Sequence, residues 1–254
     1  FHCYSCSIGG DIFDYYTKIK GKTKIESLKI IADNYNIQIN EIKNNDKLNF
    51  QEIYNAAIEY YHNCLITSND RIEYATNIYT PLEYQLKIRK HTIETLKKFK
   101  IGWAGGGLIK HLTNNGFKIY ELKKLSGALF TNKHNNINDR YYKCFVYPYL
   151  INNTIGNFNS KNPIEKKTFK FSSKFVKSEC LFYNQDSIIN TNEILVVEGE
   201  NDILSIAGKT EWNSGLIATS GQITEKQINK IKELLNSKKI YLLFDNDAAG
   251  KSYN

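Results

Sequence analysis

Two groups of carboxylates, each placed directly after a short apolar run, are the residues in this sequence best suited to chemistry. Residues 194–197 lead into Glu198, and residues 240–244 lead into Asp245 and Asp247. Several carboxylates that face water at one place repel one another unless a cation neutralises them. Mg²⁺ fits this need because it binds through one or two carboxylates together with water and substrate phosphates. The sequence therefore predicts a magnesium site.

The apolar runs also predict the sheet that would bring these carboxylates together. A continuous apolar run is typical of a strand buried on both faces, as in a parallel sheet. The order along the chain is strand 194–197, helix 202–208, strand 216–219, helix 224–236 and strand 240–244. This order predicts parallel strands joined by right-handed crossovers. Ligands bind beyond the carboxyl ends of such strands, which is where Glu198, Asp245 and Asp247 would meet.

The bulk composition is consistent with a metal site that acts on a polyanion. The chain has 254 residues, enough for about two domains of ~100–150 residues each. Its net charge is +8. A basic chain with a local acidic cluster suits a nucleic acid and a metal, although a solvated basic surface explains the charge equally well. No run of ~18 apolar residues occurs, so we expect no membrane-spanning helix and no membrane partner.

The cysteines predict zinc binding near the start of the chain. Cys3 and Cys6 have the C-x-x-C spacing that places two thiolates on one Zn²⁺. A redox pair is the alternative, but no thioredoxin-like strand precedes the motif. Zinc needs two more ligands, which we expect upstream of Phe1. Cys64 and Cys144 are interpreted as core thiols, and the odd total of five cysteines favours a reducing, cytoplasmic setting over a disulfide framework.

The middle of the chain predicts helices followed by a pair of strands. Helical spacing of apolar residues covers 50–65, 71–79, 81–90 and 92–99, after a polar linker at residues 40–49. The glycine run at residues 105–107 predicts a turn, because the Gly-Lys-Ser/Thr of a phosphate loop is absent. Residues 140–148 and 153–158 predict two strands joined by a turn at Asn152 and Asn153.

A basic and aromatic segment follows the strand pair. Lysines alternate with phenylalanines through residues 161–177, and the lysines include Lys161, Lys167 and Lys170. Such a segment suits a single-stranded nucleic acid, with cations on the backbone and rings for stacking. A strand with one apolar and one solvated face explains the same spacing, and the spacing alone favours this second interpretation.

The carboxylate motifs resemble the toprim module, which DnaG-like bacterial and phage primases share with topoisomerases and some nucleases. The matching residues are Glu198-Gly199-x-x-Asp202, then Thr219-Ser220-Gly221, then Asp245-x-Asp247-x-x-Gly250. Residues 1–11 resemble the second half of the CHC2 zinc ribbon that opens these primases. Residues 92–102 resemble a family helix followed by F-x-I-G, and residues 140–156 resemble its basic strand and V-I-G-F run. The resemblance covers essentially the whole chain.

The resemblance implies a role for each matching residue. Glu198, Asp245 and Asp247 would be catalytic and would bind Mg²⁺ or Mn²⁺, with Asp202 as a supporting carboxylate. Cys3 and Cys6 would be two of four ligands of a structural Zn²⁺. The residues implied to line a basic groove for the template and nucleotides are Arg140, Lys143, Lys161, Lys167 and Lys170.

The implied fold class is α+β, with an α/β toprim module of Rossmann-like, mostly parallel sheet and an N-terminal half zinc ribbon. The implied divisions are residues 1–39 for the half ribbon and its helices, 40–49 for a linker, 50–190 for a helical and basic β subdomain, and 191–254 for a truncated toprim subdomain. The sequence has no Met, begins inside the zinc-ribbon motif and ends four residues after Gly250. We therefore expect a fragment that lacks both ends.

The activity implied by the resemblance is that of a DNA primase. Such an enzyme transfers ribonucleotides from triphosphates in a metal-dependent reaction and makes short RNA primers on single-stranded DNA, with a replicative helicase as a partner. Two family elements are weakly matched: residues 156–161 lack the arginine of Gly-Phe-Gly-Gly-Arg, and residues 170–173 loosely match Lys-Tyr-Leu-Asn-Ser. Three alternatives stay open: the primase half of a phage primase–helicase, another toprim enzyme of nuclease or topoisomerase type, and a non-catalytic single-strand-binding module.

Overall fold

The computed structural model describes the backbone of most of the chain. The described residues are 1, 2, 4, 9–37, 44–124, 128–165, 168–170 and 179–245, with side chains described except at 44–50, 124 and 168–170. Contacts divide the chain into two compact units, Phe1–Leu48 and Asn49–Asn254. No helix within the described residues has the length and apolarity needed to cross a membrane.

In the described part of the first unit, a β-bridge between His2 and Gly9 precedes helices α1 (Ile12–Asp14) and α2 (Lys24–Asn34). Helix α1 continues into a π-helical turn. Thr23 and Glu26 form a capping box at the start of α2: the Glu26 amide donates to the Thr23 hydroxyl at 3.2 Å, and the Thr23 amide donates to the Glu26 carboxylate at 2.8 Å. This box satisfies two of the amides that a helix start leaves without partners.

Helix α3 (Asn44–Thr67) begins earlier than the sequence predicts. Residues 44–49 of the expected linker are helical, and the boundary between the two compact units falls within this helix. The reason is that residues 44–49 contain no Gly or Pro, so a polar segment can extend a helix that packing stabilises further along. That packing comes from side chains about one turn apart, all of which are buried: Ile53, Ala57, Tyr61 and Leu65.

The prediction of a helix at residues 71–79 is wrong. Strand β1 (Ile72–Tyr74) pairs with β2 (Asn77–Tyr79) in an antiparallel hairpin that places Ile72 opposite Tyr79. Ala75 at the turn has φ of 53°, a left-handed conformation that would interrupt a helix. Short helices then follow as predicted, namely α4 (Pro81–Glu83) with its π-helical continuation Tyr84–Ile88, and α5 (Ile93–Lys98).

An antiparallel sheet forms the centre of the second unit. The elements that form this sheet and those between its strands are, in chain order, β3 (Gly102–Trp103), α6 (Leu108–Asn114), α7 (Ile119–Lys124), β4 (Leu129–Thr131), β5 (Ile137–Asp139), β6 (Phe145–Ile151), β7 (Thr154–Lys161) and β8 (Thr168–Lys170). The sheet order is β3-β6-β7-β8, and β4 pairs separately with β5. Asn152 and Asn153 make the β6–β7 turn with φ of 51° and 55°, as predicted. Their amides both donate to the Asp186 carboxylate, at 3.0 and 3.1 Å.

The predicted parallel sheet is present in the predicted order. Its elements are β9 (Glu193–Val197), α8 (Glu200–Lys209), β10 (Gly215–Ala218), α9 (Glu225–Leu235) and β11 (Lys239–Leu243). The strand order is β10-β9-β11, with both pairs parallel. Strand β9 is buried on both faces, because Ile194 and Val196 pack in a cluster with Ile231 of α9, while Val197 packs in a cluster with Ile203 of α8. This two-sided burial explains its continuous apolar sequence.

His91 is a buried titratable group that joins α8 to the helices before it. Its Nδ1 lies 2.9 Å from Gln85 Oε1, and its Nε2 lies 3.5 Å from Ser205 Oγ. Burial, together with the positive charge of Lys209, lowers the pKa of His91 from 6.5 to about 4. The unfolded chain therefore binds more protons than the folded chain between these two values.

We predict that the free energy of unfolding falls as the pH is lowered from about 6.5 towards about 4, with part of this slope due to His91. A His91→Gln variant should flatten that part of the slope, whereas His134→Gln, at an exposed position, should not. Urea unfolding of the three proteins across this pH window is the measurement. Equal slopes for the wild type and His91→Gln would contradict the prediction.

Candidate metal centre and its supporting network

The carboxyl ends of β9 and β11 place two of the predicted carboxylates at one edge of the parallel sheet. Val197 pairs with Leu243 at the ends of these adjacent strands. Glu198 follows the first strand and is half-buried, and Asp245 lies two residues beyond the second and is exposed. Asp202 lies in the first turn of α8. Burial raises the pKa of Asp202, and the negative charge of Asp245 raises it further, so these two carboxylates are close enough to repel each other.

The backbone around Glu198 is fixed by hydrogen bonds on both sides. Its carbonyl accepts from the amides of Ser220 at 2.8 Å and Gly221 at 3.3 Å. On the other side, the Gly199 amide donates to the Asp202 carboxylate at 2.8 Å. Ser220 has φ of 63°, a left-handed conformation that directs both its own amide and the Gly221 amide towards the Glu198 carbonyl. The turn that carries Glu198 is therefore held by the 219–221 loop and by the start of α8.

A fully buried carboxylate, Glu200, follows this turn as the first residue of α8. Asn159 Nδ2 donates to its Oε1 at 2.7 Å, Lys161 Nζ lies 2.6 Å from its Oε2, and the Tyr149 hydroxyl also bonds to it. Burial alone would raise the pKa of Glu200. The Lys161 ammonium, with hydrogen bonds from Lys161, Tyr149 and Asn159, instead holds that pKa at about 2. Glu200 is therefore an ionised carboxylate that pairs with Lys161 and accepts hydrogen bonds from Tyr149 and Asn159.

The partners of Glu200 lie on one face of the antiparallel sheet because strand side chains alternate. Tyr147 and Tyr149 are two residues apart on β6, Asn159 and Lys161 are two apart on β7, and Tyr147 pairs with Asn159 across the strands. The Tyr147 hydroxyl contacts Asn201 Oδ1 at 3.1 Å. Lys161 Nζ lies 5.7 Å from the centre of the Tyr147 ring, a cation–π distance. This face of the sheet thus binds the first turn of α8.

The oxygen donors at the sheet edge fit Mg²⁺ or Mn²⁺. The donors are carboxylates, the ligands that these hard cations prefer. A bound cation would neutralise the negative charges of Asp202 and Asp245, which repel each other. Within the described ranges, no group of three or more His, Cys, Asp or Glu side chains is close enough to hold a metal ion. Asp247 lies outside the described residues, so the predicted three-carboxylate set stays a prediction. Cys3 and Cys6 also lie outside them.

Three of the five predicted basic residues, Arg140, Lys143 and Lys161, have described side chains. Lys143 and Lys161 emerge at the same end of the β6–β7 pair, since Lys161 pairs with Phe145 and Asn162 Nδ2 donates to the Lys143 carbonyl at 3.2 Å. Lys143 is exposed and lines a surface pocket of about 540 Å³. Arg140 precedes Lys143 by three residues, and its guanidinium lies 6.0 Å from the centre of the Phe130 ring. Lys167 and the side chain of Lys170 lie outside the described part of the chain.

Sequence reasoning assigned no role to Glu200 and placed Lys161 in a nucleic-acid groove, whereas its ammonium is paired with Glu200. A signal for the pair was present: polar Asn159 and Lys161 share one face of β7, which buries Asn159. A buried polar face needs polar partners. The partner could not be identified from local spacing because Glu200 is 41 residues from Asn159 along the chain.

The chain is similar in sequence to DNA primases over nearly its whole length. The family model described as Toprim-like matches residues 195–254. The DNA primase of Enterococcus faecalis is 25% identical over 98% of this chain, and that of Mycobacterium leprae is 22% identical over 99%. Each match covers 42% of the relative, so the chain spans less than half the length of these curated relatives. The predicted resemblance to DnaG-like primases is confirmed.

Solved primase structures share the fold. The zinc-binding and RNA polymerase domains of the Aquifex aeolicus primase match with a TM-score of 0.65 and 20% identity, covering 99% of this chain and 61% of that one. A Pseudomonas aeruginosa DNA primase domain matches with a TM-score of 0.61 and 25% identity, covering 80% and 63%. A DnaG primase catalytic domain bound to single-stranded DNA matches with a TM-score of 0.62 and 20% identity, covering 83% and 67%. The predicted fold class, α+β with a toprim-type parallel sheet, is confirmed.

Proposed function

We propose that the protein is a DNA primase, which joins ribonucleotides into short RNA primers on a single-stranded DNA template. The observation that carries the proposal is the similarity to DNA primases over 98% of the chain, combined with strand-end carboxylates at the edge of its toprim-like sheet. A primase of this kind is a nucleotidyltransferase of DNA replication. Its products are an RNA chain one residue longer and pyrophosphate.

Glu198, Asp245 and Asp247 would hold the divalent cation, with Asp202 in support. Bound there, Mg²⁺ or Mn²⁺ supplies charge neutralisation for the triphosphate and lowers the pKa of the attacking 3′-hydroxyl. The amides of Ser220 and Gly221 fix the position of the Glu198 backbone. This preorganisation reduces the rearrangement needed when charge develops in the transition state.

Basic residues would hold the template and the nucleotides by charge. Lys143 is exposed at the end of the β6–β7 pair, and Arg140, Lys167 and Lys170 belong to the same proposed groove. Contacts to phosphates release counterions, so template binding should weaken steeply as salt is raised. Lys161 is a weaker candidate for such contacts because its ammonium is already paired with Glu200 at 2.6 Å.

The remaining features of a replication primase belong to the same proposal. Cys3 and Cys6 would supply two of the four ligands of a structural Zn²⁺ in a ribbon that helps select a start site. A replicative helicase would be the protein partner, and the cytoplasm the compartment.

The test is incorporation of labelled ribonucleotides by the full-length protein on single-stranded DNA, with and without Mg²⁺ or Mn²⁺. We expect short RNA products complementary to the template that require both the metal and the template. Cleavage of the DNA without RNA synthesis would indicate a toprim nuclease instead. Template binding with neither reaction would indicate a single-strand-binding module. Either result would overturn the proposed function.

A further inference from the structure

Glu200 is a buried charge that the proposed metal set does not use. It lies two residues after Glu198, yet it is fully buried, whereas the ligand candidates Glu198 and Asp245 are half-buried and exposed. Its carboxylate points into the protein, towards Asn159 and Lys161 of strand β7. Burying an ionised carboxylate is costly unless it is paired and hydrogen-bonded, so the presence of a buried charge paired with Lys161 beside the Glu198 turn calls for an explanation beyond packing.

One connection runs from Glu200 to the backbone of Glu198. The Tyr149 hydroxyl bonds to both the Glu200 carboxylate and the Ser220 hydroxyl. Because a tyrosine has one hydroxyl proton and a carboxylate can only accept, Tyr149 donates to Glu200 and accepts from Ser220. The Ser220 amide in turn donates to the Glu198 carbonyl at 2.8 Å. The Glu200 carboxylate is thus linked through Tyr149 and Ser220 to the loop that holds Glu198.

A second connection is electrostatic and runs through Lys161. Lys161 Nζ lies 3.4 Å from the position that a Cβ atom on Gly199 would occupy, so the ammonium is beside the turn between Glu198 and Glu200. Glu200 neutralises this ammonium across 2.6 Å. Without the Glu200 charge, an unbalanced positive charge would lie next to carboxylates that have to bind a cation. Such a charge opposes metal binding by Coulomb repulsion.

We propose that Glu200 is a positioning and charge-balancing residue of the metal centre. It holds the Glu198 turn through Tyr149 and Ser220, and it cancels the charge of Lys161. The inference rests on the proposed function, since it assumes that the strand-end carboxylates bind a divalent cation. Glu200 itself contacts neither the cation nor the substrate.

The test compares the Mn²⁺ affinity of the wild type, Glu200→Gln and a double variant, measured from the electron paramagnetic resonance signal of free Mn²⁺ without any substrate. Glu200→Gln, which keeps the shape and removes the charge, should weaken Mn²⁺ binding about tenfold because Lys161 is then unbalanced. The Lys161→Gln/Glu200→Gln double variant should return to within about threefold of the wild type. If the double variant binds Mn²⁺ as weakly as Glu200→Gln or more weakly, the charge-balancing role is wrong.

Two further variants complete the test. The exposed ion pair of Lys87 and Glu83, at 2.7 Å, provides the control, and Glu83→Gln should leave Mn²⁺ affinity unchanged. Tyr149→Phe keeps both charges and removes the hydroxyl that joins Glu200 to Ser220. It should lower kcat for primer synthesis about tenfold, with a smaller loss of Mn²⁺ affinity than Glu200→Gln causes. An unchanged kcat would overturn the positioning role, even if Glu200→Gln fails to fold.

The two proposals fail in different ways. A wild-type protein that binds no Mn²⁺ at the sheet edge and makes no primers would refute the proposed function. A wild type that binds Mn²⁺ and makes primers, with Glu200→Gln and Tyr149→Phe behaving like the wild type, would refute only the role of Glu200.

Discussion

A Glu198→Gln substitution in the full-length protein is expected to reduce primer synthesis by about 10²–10³-fold or more, the effect of losing several kcal/mol of charge stabilisation in the transition state. The amide has nearly the same shape as the carboxylate but lacks its negative charge. Because the Glu198 backbone is held by hydrogen bonds from Ser220 and Gly221, the turn should keep its conformation. The initial rate of labelled ribonucleotide incorporation at saturating template is the measurement.

Glu193→Gln is the matched control for this experiment. Glu193 begins the same strand, β9, that ends next to Glu198. Its carboxylate is partly exposed and lies 3.8 Å from Lys239 Nζ, an interaction of the kind worth about 1 kcal/mol or less. The control should therefore retain nearly full activity. A Glu198→Gln protein that folds and retains more than about half of the wild-type rate would contradict a metal-binding role for Glu198.

A Phe158→Ala substitution is expected to destabilise the protein by about 3–5 kcal/mol, the range for removing a fully buried aromatic ring. Phe158 is completely buried on β7. Its ring contacts the rings of Tyr54 and Tyr141, with centroid distances of 5.4 and 6.2 Å. Removing it leaves a cavity between helix α3 and the sheet that carries Asn159 and Lys161. Equilibrium unfolding in urea gives the free energy directly.

Phe130→Ala provides the comparison for that measurement. Phe130 is 40% exposed on the short strand β4. Since less of its ring leaves water on folding, its removal should cost about 1–2 kcal/mol. A Phe158→Ala protein as stable as Phe130→Ala would show that the ring does not fill the core as described.

The toprim-like half of the fold could be predicted because its signals are local and agree with one another. Strand β9 is apolar at four successive residues, since both of its faces are buried. The β6–β7 turn was predicted from the Asn152-Asn153 pair, and both residues have the positive φ that such a turn requires. In each case a few neighbouring residues contain the whole pattern.

The elements that were predicted incorrectly have no distinctive pattern in their neighbouring residues. Strands β1 and β2 are three residues each, too short for alternation to be distinguished from helical spacing. The start of α3 at Asn44 was missed because Asn and Lys are as common in linkers as on solvated helix ends. Tertiary packing further along the helix decides the outcome, and that packing is not visible in the residues themselves.

The candidate site was predicted in part, for a related physical reason. The strand-end position of Glu198 and Asp245 follows from the strand pattern, and the register of β9 and β11 agrees with it. Glu200 was missed because its role depends on Asn159 and Lys161 from a different sheet. Its partners become apparent only when the two sheets are seen to share one core. Residues that support a site through distant contacts are therefore the ones that spacing cannot identify.

Anomalous scattering from a crystal of the protein grown with Mn²⁺ would show whether the strand-end carboxylates hold a metal. We predict a peak about 2.0–2.3 Å from carboxylate oxygens of both Glu198 and Asp245, the distance range for small divalent cations on oxygen ligands. The peak should be absent from the Glu198→Gln protein. A peak elsewhere, or none under conditions in which the protein makes primers, would contradict a metal-dependent site at this edge of the sheet.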